Sequence, residues 1–249
     1  EWVLTTRRWT LMAWYFLASG LILGGQWAYE ELGWGGFWAW DPVENAALMP
    51  WLTGTAFLHS VMIQEKRNML KIWNVVLIIT TFGLTIIGTF LTRSGIINSV
   101  HSFTQSEIGP AFLIYLALVL IAGFALLFKR IQMLESEYKI ESVLCRENVF
   151  VAQNILLVGI AFTVLLGTTF PLLAEAVRGT KLSIQAPFFN TITAPMGYAL
   201  LILMGIGMLI SWRRSSLDNL RRNFQNPLIT ASLGTIILVW LLFEKSLQW

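Results

Sequence analysis

Seven stretches of this chain are long and apolar enough to cross a lipid bilayer, near residues 9–28, 45–64, 72–91, 111–128, 150–170, 194–212 and 227–243. A hydrocarbon core about 30 Å thick needs about 20 apolar residues per helix. Inside it each backbone amide must be bonded within its own helix or around a closed barrel, and runs of this length select helices. The pattern therefore predicts an all-α polytopic membrane bundle of about seven transmembrane helices. The charged fraction agrees: 12% of the 249 residues are Asp, Glu, Lys or Arg, against about 25% in soluble domains.

The basic residues then orient the bundle. With the N-terminus inside, 13 of the 17 Lys and Arg fall in inner segments, at Arg7–Arg8, Lys66 to Lys71, Lys129 to Arg146 and Arg213 to Arg222. An excess of Lys and Arg marks the cytoplasmic side. The isoelectric point near 9.2 thus reflects topology, and no nucleic-acid partner is expected. Segments 29–50, 92–110 and 171–193 are then external. The apolar run after Arg8 continues to about Ala28 without a small-residue cleavage site, so it reads as a span and not as a signal peptide. Cys145 is the only cysteine, which excludes an internal disulfide. Residues 1–249 read as a single transmembrane bundle. Because the chain starts at Glu1-Trp2 without Met, it is expected to be a piece of a larger or split protein.

The first external segment contains "GWGGFWAWDPVEN", residues 33–45. Its acidic end has a local explanation: Asp41 as N-cap, Pro42 at the first helical position and Glu44 closing a capping box before Asn45. Capping does not account for Trp34, Phe37, Trp38 and Trp40. Trp collects at membrane interfaces, so an aromatic belt is one explanation. The other is a platform for a planar ligand: aromatic faces stack, and Gly35 and Gly36, with Gly33, allow close backbone approach. The residues alone leave both open.

Two histidines are present, His59 and His101. His59 lies 14 residues beyond Asn45, about 21 Å along a helix, which is well inside the bilayer. An ionisable group at that depth is a functional candidate, and a neutral imidazole bonded to a neighbouring helix is the plain alternative. His101 lies in the second external segment. Arg93, in "TRSG", suits either a ligand carboxylate or the lipid headgroups, and Lys181 is a weaker candidate of the same kind.

The stretch "WGGFWAWDPVENAALMPWLTGTAFLHS" resembles the tryptophan-rich WWD signature of the haem-handling proteins of cytochrome c maturation, and among them the CcmF-type subunit of cytochrome c haem lyase. The likeness continues in "TFLTRSGIINSVHSF" (89–103) and "LLGTTFPLLAEAVRGTKLSIQAPFFN" (165–190). Phe37 departs from the family pattern, which commonly has Trp there. The resemblance implies that His59 ligates a b-type haem within the membrane. It implies that His101 ligates a transient haem on the WWD loop, over Trp34, Gly35, Gly36, Phe37, Trp38, Trp40 and Asp41, with Arg93 nearby. Two bis-histidine haems need four imidazoles, so the second ligand of each is expected from other maturation subunits. Candidates are the remaining CcmF portion and a CcmH-like protein.

The implied activity is that of a cytochrome c haem lyase subunit, inactive alone. It positions haem for thioether attachment to the Cys-x-x-Cys-His segment of apocytochrome c, with no residue of its own as nucleophile or base. Haem would arrive from a CcmE-like chaperone, on the outer face of a bacterial or mitochondrial inner membrane. Two alternatives remain: a haem export or delivery subunit resembling CcmC, and a structural membrane subunit whose aromatic loop only anchors it.

Overall fold

In a computed structural model the described residues are 2–33, 35–94, 108–136, 141–179 and 182–246, and they form seven α-helices. These are α1 (Trp2–Glu31), α2 (Pro42–Arg67), α3 (Lys71–Arg93), α4 (Gly109–Lys129), α5 (Arg146–Arg178), α6 (Ala186–Leu209) and α7 (Leu217–Ser246), with one turn of 3-10 helix at Ile131–Leu134 after α4. The helices run further than the apolar stretches suggest. The aromatic connection between α1 and α2 covers residues 32–41, and α5 continues through Pro171 to Arg178, leaving 179–185 before α6.

Six helices, α2 to α7, are long and apolar enough to cross a membrane. The expectation of about seven spans is met to within one helix, α1. At 30 residues α1 is long enough, but its Trp, Tyr, Gly and Gln residues lower its mean hydropathy. Trp9, Tyr15, Phe16, Ile22 and Leu23 are nevertheless all exposed on it.

Helix α2 is the hub. It packs on α1, α3 and α5, while α4 leans on α3 and α6 on α5. The main core gathers Met49, Leu52, Ala56, Phe57 and Val61 of α2 with Leu77 and Leu84 of α3. Leu157, Ile160, Ala161 and Val164 of α5 and Phe189 of α6 complete it. Among the described residues helix α7 packs mainly along α6. Its apolar side chains, such as Leu233, Ile236 and Trp240, are exposed, as suits a helix in lipid, where apolar burial is no driving force.

Polar groups tie the helices where apolar packing alone would let them slide. Thr81 donates to the Thr53 hydroxyl at 2.8 Å across α2 and α3, and Asn74 donates to Gln64 at 2.6 Å. At the basic end of the bundle Arg7 pairs with Glu65. Arg67 reaches Glu141 at 2.8 Å and the buried Glu147 at 3.2 Å. Glu147 also accepts the Arg213 amide at 3.1 Å. An ion so buried needs partners on several sides, and here it joins α2, α5 and the segment before α7.

Candidate functional site

Two regions hold most of the described residues singled out in the sequence: the aromatic connection at one end of α2 and a cavity along the helix.

In the connection, α1 stops at Glu31 and the chain turns through Gly33 and Gly35, both with φ near +70° (65° and 73°). It then lies back on α1 at Gly25, where an added Cβ would sit 3.0 Å from the Phe37 carbonyl oxygen. Phe37 stacks on Tyr29, with centroids 4.5 Å apart and planes 13° from parallel. Trp40 stacks on Phe189 of α6 at 4.9 Å and 11°, and its indole N–H donates to the Asn190 side chain at 2.7 Å. Trp38 meets Trp40 edge-on, at 87°. These rings therefore do not share one plane: Phe37 is fixed to α1, and Trp40 to α6.

Trp40 adopts φ +60°, a left-handed conformation that costs a non-glycine residue about 1–2 kcal/mol. Its surroundings hold it there. Asn45 donates to the Trp40 carbonyl and to the Thr168 hydroxyl of α5, each at 3.0 Å. Glu44 accepts the amides of Ala39 (3.1 Å) and Asp41 (3.3 Å), and Asp41 accepts that of Val43 (3.0 Å), with Pro42 in the first turn. Gly167 of α5 leaves room for Phe189, since a Cβ there would lie 2.5 Å from the ring. Arg93 ends α3 and is exposed. Trp34, His101 and Lys181 lie outside the described residues.

The cavity, about 920 Å³, lies between α1, α2, α5 and α6, toward the upper end of the 300–1,000 Å³ usual for ligand pockets (roughly). Trp14 and Trp51 form one wall, stacked at 5.8 Å and 21°. Trp14 is pinned by its indole N–H, which donates to Thr55 at 2.7 Å, while the Thr55 hydroxyl donates to the Trp51 carbonyl at 2.7 Å. Leu201, Met204 and Met208 of α6 face them.

His59 is half-buried on the cavity wall, its ring 5.3 Å from that of Phe150. Its Nδ1 is enclosed and has no hydrogen-bond partner. Arg146, at the basic end, closes α6 by donating to the carbonyls of Ile210 (2.9 Å) and Met208 (2.8 Å) and lies 5.5 Å over the Trp212 ring.

Comparison with known proteins fits this arrangement to a family. Residues 1–97 match the Cytochrome C assembly protein family. The cytochrome c-type biogenesis protein ccl1 of Rhodobacter capsulatus is 44% identical over 242 residues, 97% of this chain and 37% of that protein. CcmF of Escherichia coli is 42% identical over 238 residues, 95% of this chain and 36% of that protein. A solved structure of cytochrome c haem lyase CcmF superimposes with a TM-score of 0.74 at 40% identity, over 95% of this chain and 35% of that one.

The chain is of the CcmF type. It spans about a third of the length of these relatives (37%, 36% and 35%). The likeness to CcmF proteins runs beyond Asn190, where the sequence motifs end, through nearly the whole chain. With six helices of membrane-spanning length, this CcmF-type chain is an integral membrane protein.

The structure brings His59 together with residues that motif reading did not single out: Trp14, Trp51, Arg146, Phe150 and Gln153. A signal was present in the sequence. Positions 146, 150, 153 and 157 recur with the helical period and mark one face of α5, and Gln153 is polar within an apolar run.

Proposed function

We propose that this chain is the WWD-bearing core of a cytochrome c haem lyase, holding haem on its external side for thioether attachment to the Cys-x-x-Cys-His segment of apocytochrome c. The observation that carries it is the cavity: an apolar chamber of about 920 Å³ with an unpartnered imidazole on its wall, inside a CcmF-type chain. The residues fit a haem, a flat apolar macrocycle with two carboxylates on one edge. Trp14, Trp51 and Phe150 offer ring faces, His59 a neutral nitrogen, and Arg146 a guanidinium that matches a carboxylate. A b-type haem bound there supplies one-electron chemistry. The chain's own part is to orient the group through α2 and α5 and to keep water from it with the α1 and α6 side chains.

At the external connection haem is substrate. Phe37 keeps an exposed face, and Trp38 and Trp40 lie beside it. Trp34, Asp41, Arg93 and His101 complete the proposed outer site, with His101 as the iron ligand. The reacting thiols belong to the apocytochrome and add across the haem vinyl groups, so the chain contributes by positioning. The second iron ligands come from the remaining CcmF portion or from other maturation subunits, since this sequence has two histidines and two bis-histidine sites need four.

The test is to purify the chain alone and with its co-produced maturation partners, then compare His59→Ala and His101→Ala. With partners, His59→Ala removes the membrane haem signal and His101→Ala weakens the other. Alone, the chain lacks a bis-histidine spectrum. An unchanged Soret band in both variants overturns the proposal.

A further inference from the structure

We propose that Gln153 is the residue that orients His59 for ligation: when haem binds, its side-chain carbonyl, unpartnered in this structure, takes the Nδ1 proton of the imidazole in a hydrogen bond and so holds Nε2 toward the cavity. This assignment rests on His59 being a haem ligand, and it adds a residue that lies outside both the WWD loop and the matched residues 1–97.

Gln153 is 3% exposed and sits on the cavity wall, and its Oε1 is enclosed with no hydrogen-bond partner. His59 Nδ1, on the same cavity, is enclosed and unpartnered too. A buried polar atom without a partner costs about 1–3 kcal/mol. Two of them, one an acceptor and one able to donate, border a space that leucines would otherwise line at no such cost.

The helix geometry places the two on one side of the cavity. Phe150 meets the His59 ring at 5.3 Å. Gln153 follows on the same face of α5, about 4.5 Å further along the axis. Gln153 and His59 both line the cavity, and the long Gln side chain spans a separation of that order.

The other polar residues lining the cavity do not serve. The Thr55 hydroxyl is already engaged by Trp14 and the Trp51 carbonyl. Arg146 has no acceptor, and the Tyr198 side chain on α6 is 67% exposed. A ligating histidine normally donates its second N–H to such an acceptor, which fixes the tautomer and raises the basicity of the ligating nitrogen.

The experiment compares Gln153→Leu, Gln153→Met and Gln153→Glu with His59→Ala, each purified from haem-replete membranes with its accompanying polypeptides. Haem per protein and haem midpoint potential are read for each. Gln153→Leu and Gln153→Met are expected to hold the membrane haem about 10- to 100-fold more weakly and to move its potential positive. Gln153→Glu, a stronger acceptor, moves the potential negative. If His59→Ala loses the haem while Gln153→Leu and Gln153→Met keep wild-type retention and potential, the assignment is overturned. If His59→Ala keeps the haem, the ligand reading itself falls and the role of Gln153 falls with it.

Discussion

The aromatic connection and the α2 cavity are both rich in tryptophan, yet they treat their polar groups in opposite ways. Around Trp40 nearly every local donor and acceptor is spent. Glu44, Asp41 and Asn45 bond the backbone from Ala39 to Val43, and the Trp40 indole is bonded to Asn190. Trp38 Nε1 and Asn45 Oδ1 are the exceptions, each enclosed without a partner. Around His59 the polar atoms of His59 and Gln153 stand idle in an apolar wall. Bonded groups stabilise the fold, whereas idle buried ones weaken it and are retained where a ligand completes them. The connection thus holds a shape, whereas under the proposed function the cavity gains stability when its ligand binds.

Four measurements probe that contrast. Trp40→Ala removes the ring stacked on Phe189 and is expected to destabilise the protein by about 3–5 kcal/mol, read as a fall in the thermal midpoint in detergent. A loss below about 1 kcal/mol would mean that the loop is not locked to α6. Asn45→Ala leaves the Trp40 carbonyl and the Thr168 hydroxyl without their partner, and costs about 1–3 kcal/mol. Combining it with Trp40→Ala is expected to give less than the sum, because both act on one lock. Gly167→Ala pushes a methyl group into the Phe189 and Phe188 rings and costs about 1–3 kcal/mol, part of which Phe189→Leu in the same chain relieves.

In the cavity the sign reverses. Gln153→Leu in haem-free protein is expected to leave stability unchanged within about 0.5 kcal/mol or to raise it, since it removes an unpartnered carbonyl. A large loss there would place Gln153 with the structural residues and erase the distinction between the two regions.

The smallest effect is chemical. The Cys145 thiol, beside Arg146, is pushed above its ordinary pKa by burial and by the neighbouring Glu147 charge, and it donates to the Ser142 carbonyl at 3.0 Å. Because the thiolate is the reactive form, alkylation near neutral pH is expected to be slower than for a free thiol and to rise only at more alkaline pH. Fast labelling at neutral pH would show that the basic end of the cavity opens.

Much of the helical layout is visible in the residues. Six of the seven apolar stretches are spans because their length and apolarity leave the backbone no other way to bond in lipid. The α2 start is equally local, since Asp41, Pro42 and Glu44 act on amides within five positions. Helix α1 shows the limit: its length suits a span, but its aromatic residues add little hydropathy, so by that measure it falls short of the other six. The candidate site divides in the same way. His59 stands out as a lone imidazole at depth, but nothing in its own neighbourhood names Gln153, Phe150 or Arg146, which come from a helix that starts 87 positions later (residues 59 and 146).

The sequence by itself determined that this chain crosses a membrane as helices, where its second helix begins, and that an aromatic loop and one deep histidine are its unusual features. These are consequences of local composition and of hydrogen bonds between near neighbours. Only the tertiary structure decided that Trp40 is seated on Phe189 and Asn190, some 150 residues away, so that the loop's rings divide between two helices. It alone placed His59 opposite α5 and α6 around an apolar cavity. Packing partners across such separations are chosen by how whole helix faces fit, and no short stretch of residues carries that information.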